Sequence, residues 1–300
     1  MDPVALRVGN RLVCNDRDAA GLEMTITGAR VDFEDDALIA LCGADMGAQI
    51  ADVSIPPWRA VYVQQGSILS IGRARWGCRA YLAVAGGIDV PEVLESRSTQ
   101  LRAGLGGFHG RALRAGDKLP IGAASERAAR LMRSTSGAIG PLPFALSEAT
   151  LDPAGLYREG PIRFLPGPDW GLLDESDRST WITTRYTVSD KSDRMGYRLQ
   201  GSLLRSIGRG ERISTAVVTG TVQVPPGGEP IVLMVDRQTT GGYPMVAQVI
   251  SADLPSLAQK RPGEEISFEI ISLDDARREL GQQHEMIANR GGSRDASHRP

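Results

Sequence analysis

The run from Gly220 to Pro244 constrains this chain most: it reads G-T-V-Q-V-P-P-G-G-E-P-I-V-L-M-V-D-R-Q-T-T-G-G-Y-P. The order predicts a strand, a turn, an apolar strand, then a polar, glycine-rich loop. Pro225, Pro226, Gly227 and Gly228 break the chain sharply. Ile231 to Val235 is continuously apolar, as expected of a strand buried on both faces. Asp236, Arg237, Gln238, Thr239 and Thr240 then arrive together, followed by Gly241 and Gly242. A buried strand that empties into such side chains is how a rigid scaffold presents a site. The plainer alternative is a long polar turn.

Further strand-like runs are Leu38–Cys42, Ala60–Val63, Ile68–Ile71, Ala80–Val84, Ile162–Phe164, Val217–Thr219, Val246–Ile250 and Ile266–Ile270, separated by glycine or proline turns. With 35 glycines, 18 prolines and few aromatics, the chain favours many turns and short strands. Helical signals are few. Pro3 to Asn15 carries an imperfect apolar stripe; Asp89-Val90-Pro91-Glu92 reads as a capped short helix; Ser272-Leu273-Asp274-Asp275 reads as the cap of a C-terminal helix.

Three short patterns recur in the same order in both halves: a strand ending in glycine, an x-D-x-P segment and an R-x-G turn. They predict two related β-rich domains in tandem, 1–122 and 157–276. The first half adds an insertion, Glu95 to Leu113, holding Arg97, Ser98, Thr99, His109 and Arg111; it reads as a functional loop or a disordered surface one. Residues 123–156 read as a linker and 277–300 as a partly disordered tail.

Lys+Arg 34 against Asp+Glu 36 leaves a net charge of -2, no electrostatic reason to expect nucleic acid or an anionic membrane. No apolar stretch approaches a membrane span, and no signal-peptide pattern opens the chain. Cys14, Cys42 and Cys78 are widely spaced and read as buried thiols of a cytoplasmic protein. Phosphate-loop, dinucleotide, H-E-x-x-H and G-x-S-x-G patterns are absent, and of three histidines only His109 lies in a plausible site, so a Ser-His-Asp triad is excluded as the leading reading.

What remains is arginine, aspartate, hydroxyl and amide chemistry. Asp193, Arg194 and Arg198 flank a glycine before a strand. An arginine fork grips carboxylates or phosphates, and a neighbouring aspartate can orient it, accept a proton or hold Mg²⁺; the alternative is a structural ion pair. Arg97 with Ser98 and Thr99 suits a phosphate or carboxylate, or is a solvated loop. Gln223, Gln238, Thr239, Thr240 and Tyr243 suit hydrogen bonds to a small amide, or stabilise the turn. Met46, Trp58 and Trp76 read as packing residues.

The run above, with S-D-R-M-G-Y-R-L (192–199), V-I-S-A-D-L-P (249–255), L-C-G-A-D (41–45), A-Y-L-A-V-A-G-G (80–87), S-R-S-T (96–99) and G-G-F-H-G-R (106–111), resembles the family of 5-oxoprolinase C subunits. That family is also called KipA or allophanate hydrolase subunit 2, of the biotin-dependent carboxyltransferase-domain group. The resemblance implies a mainly β fold with short helices (α+β), built as two tandem related cyclophilin-like β-barrel or curved-sheet domains. It implies one component of an ATP-dependent 5-oxoprolinase, opening 5-oxo-L-proline to L-glutamate beside B-like and A-like 5-oxoprolinase proteins, and inactive alone. In that scheme Asp193, Arg194 and Arg198 are catalytic, Arg97 joins the arginines in anion contacts, and the amide and hydroxyl residues hold the lactam. ATP, with Mg²⁺, is the implied cofactor. Relatives imply two alternatives: a carboxyltransferase acting on urea or another small amide with carboxybiotin, or a regulator that binds a kinase inhibitor. The chain has no A-M-K-M biotin-carrier motif. Family members begin further upstream, with a Q-D-x-G-R motif and a loop ending in M-D, which Met1-Asp2 matches; the resemblance implies either a true start further upstream or a missing first strand, which would expose a sheet edge.

Overall fold

Asp2 opens the first element. Its carboxylate accepts a hydrogen bond from the Ala5 amide (3.0 Å), and Pro3 supplies a helical φ at no cost in hydrogen bonds. Helix α1 (Pro3–Leu12) follows and turns Val4, Ala5, Val8 and Leu12 inward. The computed structural model describes residues 1–136, 144–150, 153, 155–205 and 213–289. It is mainly β, with short helices, and divides into two compact units, Asp2–Pro153 with Ile287–Pro300, and Met1 with Ala154–Met286.

The first unit holds β1 (Leu22–Thr25), β2 (Arg30–Asp32), β3 (Ala37–Asp45), β4 (Gln49–Ile50), β5 (Val53–Ser54), β6 (Arg59–Val63), β7 (Ile68–Ser70), β8 (Trp76–Val84), α2 (Glu126–Ser136) and β9 (Phe144–Thr150). One sheet runs β1-β8-β3-β6-β9 and a smaller one β2-β7-β4-β5. Ile39, Leu41, Ile50, Leu69 and Leu82 from both sheets share one core. On the opposite face of β3, Ala40 and Cys42 approach Gly9 of α1. Both faces of β3 are therefore covered, which is why its interior reads as unbroken apolar sequence instead of alternating.

The second unit holds β10 (Ile162–Pro166), α3 (Glu175–Thr183), β11 (Tyr186–Val188), β12 (Gly196–Gln200), β13 (Thr215–Ala216), β14 (Thr221–Gln223), β15 (Ile231–Leu233), β16 (Thr240–Gly241), β17 (Met245–Val249), α4 (Leu254–Ala258), β18 (Glu265–Ile266), β19 (Phe268–Ile270) and α5 (Leu273–Asn289). Eight strands form the sheet β18-β11-β12-β15-β14-β17-β10-β19. Its edge strands β18 and β19 are separated in sequence by Ser267 alone. A flat sheet would hold those edges about 30 Å apart, while one linking residue spans only about 7 Å. The sheet must curl until its edges nearly meet. Phe164, Trp181, Tyr186 and Phe268 fill the interior, with Trp181 stacked on Phe268 at 4.0 Å.

Several expectations are corrected. Asp89–Glu92 forms no helix: Leu94 (φ 51°) and Glu95 (φ 60°) are both left-handed, and Val93 and Ser96 exchange backbone hydrogen bonds across them as in a tight hairpin. Val217–Thr219 is not a strand: Val217 and Val218 have no regular structure, and the chain turns at Thr219 and Gly220 (φ 88°) before β14 begins. The run Ile231–Val235 ends as a strand at Leu233, and Val235 is exposed. Trp76 is half exposed, whereas Met46 and Trp58 are buried as expected. Cys42 and Cys78 are buried thiols outside any disulfide, as expected, and Cys14 is only partly covered. The stretch expected as a linker, 123–156, carries α2 and β9, since backbone pairing of β9 with β6 needs no apolar periodicity. The tail expected from 277 continues as α5 to Asn289, and 290–300 lie outside the described residues.

Candidate active site

In the second unit the chain leaves β15 and enters the polar loop. Arg194 holds the loop's start: its Nε and Nη2 donate to the Asp236 carboxylate at 2.8 and 3.2 Å, and the Asp236 amide donates to the Arg194 carbonyl at 2.8 Å. A planar fork on a partly buried carboxylate fixes orientation as well as distance. Asp193 shapes the neighbouring turn by accepting from the Met195 and Gly196 amides at 2.8 and 3.3 Å. Ser192 brackets Arg198 through its backbone, leaving the Arg198 side chain exposed on β12.

Beyond Asp236, β16 pairs with β13, bringing Thr240 opposite Ala216, and the Thr239 carbonyl accepts from the Val217 amide. Gln238, Thr239, Thr240 and Tyr243 are exposed on this loop, while Gln223 lies beneath it at 1 % exposure. Of the sequence-derived set in this unit, all but Arg198 lie on one loop, directly beneath it, or on the turn latched to it. Arg97, Ser98 and Thr99 belong to the other unit, on its insertion.

That insertion is a built loop, closed at its base by an Ile88–Ile121 bridge. Arg97 donates to the Val90 carbonyl (3.2 Å) and lies 3.7 Å from Glu92. Thr99 packs so tightly on Gly107 (φ 52°) that a Cβ there would overlap the Thr99 hydroxyl. Arg111 clasps Asp117 bidentately at 2.7 and 2.8 Å and lies over the Phe108 ring. Hydrogen bonds from Arg111, then the Arg114 amide, hold the Asp117 carboxyl well below the usual carboxylate range. A folded value below the unfolded one of about 3.9 means the clasp contributes fully above that pH and is lost as pH falls towards the folded value. Asp117→Asn is accordingly expected to lower the amide-exchange protection factors of residues 106–117 at neutral pH and to erase the loss of protection that acid should cause in the parent. An unchanged acid profile would contradict this.

Sequence reasoning named Arg237 without assigning it a role and missed Thr219, Thr221 and Gln248. Arg237 donates to the Val217 carbonyl (3.3 Å) and the Thr219 hydroxyl (3.0 Å); Thr221 donates to Gln248 (2.9 Å), whose amide reaches the Thr219 carbonyl (2.9 Å). The available signal was a glutamine inside the apolar strand M-V-A-Q-V.

Chemically the loop offers amide, hydroxyl and phenol groups, which suit hydrogen bonds to a small polar molecule, while Arg198 stands opposite Ile231, two residues back from the loop end of β15. Among the described residues no group of three or more His, Cys, Asp or Glu is placed to hold a metal ion. Asp236 has Arg194 on both oxygens and so does not fit a protein-held Mg²⁺, whereas Asp193 accepts both amide hydrogen bonds on one oxygen, Oδ1. No described helix is long and apolar enough to cross a membrane.

Residues 1–270 match the family model for the carboxyltransferase domain, subdomain A and B. The chain is 41% identical to the C subunit of 5-oxoprolinase from Escherichia coli, over 92% of its own length and 83% of the relative's. The solved urea amidolyase of K. lactis superposes with a TM-score of 0.81 at 29% identity, covering 96% of this chain and 18% of that one. The Kluyveromyces lactis urea carboxylase gives 0.80 at 27% identity over 96% and 26%. This chain therefore spans about a fifth to a quarter of those two proteins.

Proposed function

We propose that this chain, which belongs to the carboxyltransferase-domain family that includes the 5-oxoprolinase C subunit, is the corresponding component of an ATP-dependent 5-oxoprolinase, working with B-like and A-like 5-oxoprolinase proteins. The observation that carries this reading is near-full-length likeness to the E. coli protein, joined to a rigidly latched loop of amide and hydroxyl groups. A lactam is a poor electrophile. ATP supplies activation of its oxygen, so that water can attack the ring carbon. In this chain Gln238, Thr239, Thr240 and Tyr243 hold the lactam's polar edge. Arg198 meets anionic groups, and Asp193 and Arg194 keep the turn and loop in place. Arg97, on the insertion of the first unit, is an anion contact in its own right.

The test is ATP hydrolysis by the chain co-purified with its neighbouring subunits, with and without 5-oxoproline, following glutamate. ADP and glutamate rising together support the reading. A stable complex with no lactam-dependent turnover rejects it. Likeness to urea carboxylase favours one second reading, carboxyl transfer between carboxybiotin on a separate carrier and urea or another small amide. Urea-dependent turnover with a biotinylated carrier, in place of lactam opening, selects it.

A further inference from the structure

We infer that Gln223 is a positioning residue, which sets the geometry of the substrate loop from beneath and for which Gly241 makes room. The inference rests on the oxoprolinase reading for its catalytic consequence but not for its structural one. Gln223 ends β14 at a register shift between Val222 and Gln223, the kind of irregularity that re-aims a side chain. Its amide nitrogen donates to the Tyr243 carbonyl at 3.2 Å, and its amide oxygen accepts from the Gln238 side chain at 3.4 Å. Those two contacts lie at opposite ends of the segment that carries Thr239 and Thr240. One buried amide therefore spans the loop and holds both ends. At 1 % exposure it has no surface to offer a substrate.

Gly241 lies between those ends. A Cβ there would come 2.6 Å from the Gln223 amide nitrogen and 3.2 Å from its oxygen. Gly241 is not among the glycines with positive φ, so backbone strain does not require glycine there. The space is needed by the glutamine. Two consequences follow, the second of which simple packing would not produce. Alanine at 241 should be harmful only while Gln223 is present. An isosteric carboxylate at 223 should fail, because it has no N–H for the Tyr243 carbonyl and sets acceptor against acceptor.

The experiment uses the full chain assembled with its partner subunits, with Gln223→Ala, Gln223→Glu, Gly241→Ala and the Gln223→Ala/Gly241→Ala double variant. Each single change is expected to raise KM for 5-oxoproline about tenfold, which corresponds to about 1.4 kcal/mol, with kcat within about twofold. The double variant should match Gln223→Ala alone. An additive double, about a hundredfold, or a Gln223→Glu variant that behaves like the parent, overturns the proposal. Amide exchange over residues 238–243 of the chain is read in parallel. It should quicken in each single variant and no further in the double. If the parent complex opens no lactam, the functional reading falls, and this exchange pattern alone upholds or overturns the positioning role.

Discussion

Replacing Asp253 by alanine is expected to lower the unfolding free energy of the second unit by about 3–5 kcal/mol. Asp253 is fully buried and accepts from the Arg163 amide (2.7 Å), from Arg163 Nε (3.0 Å) and from Nη2 (2.6 Å). Arg163 is itself 9% exposed, and its other nitrogen reaches Glu279 of α5 at 2.9 Å. Removing the aspartate leaves most of a buried guanidinium without its partner and orphans a backbone amide of β10. Glu279 is a third exposed, so Glu279→Gln should cost only about 1 kcal/mol. The paired change Arg163→Met with Asp253→Leu should recover much of the loss, because the charge and its desolvation leave together. Urea unfolding of the full chain, with amide exchange in β10 and β19 locating the transition, is the measurement. A loss below about 1 kcal/mol for Asp253→Ala would refute the account.

Arg194→Ala should reduce kcat/KM of the assembled complex about a hundredfold, the scale expected when a site is displaced by an ångström or so. The alanine frees Asp236, the residue from which the polar loop departs. Arg194→Lys should be nearly as poor, since an ammonium cannot reproduce contacts to both carboxylate oxygens. Thr240→Ala, which removes one exposed hydroxyl and leaves the latch intact, should lose much less, about tenfold. Steady-state kinetics with 5-oxoproline decide between these. Full activity for Arg194→Ala in a properly folded complex removes Arg194 from the site.

The apolar runs that became β3, β6, β8, β10 and β17 were legible because a strand covered on both faces needs no partner to declare itself. The Ser272 cap of α5 was equally local: its hydroxyl accepts from the Asp275 amide. Where reading failed, the stabilising partner was distant in sequence. The inward stripe of α5 includes polar Glu279 and Gln283, whose partners are Arg163 and the Ala252 carbonyl, so hydropathy alone marks the helix as tail. At Leu94 and Glu95 the Asp-x-Pro-Glu pattern favours a helix, but the insertion closes by a hairpin turn instead.

The sequence by itself determined the polar loop, its glycines, the family and the β-rich class, because composition and order carry those directly. Only the tertiary structure decided which polar residues face solvent and which hold the loop. Gln223 and Gln238 look alike in sequence, yet one is sealed below the loop and the other stands on it. That difference arises from a register shift in one strand and from the space left at Gly241, both of which exist only once distant strands have paired.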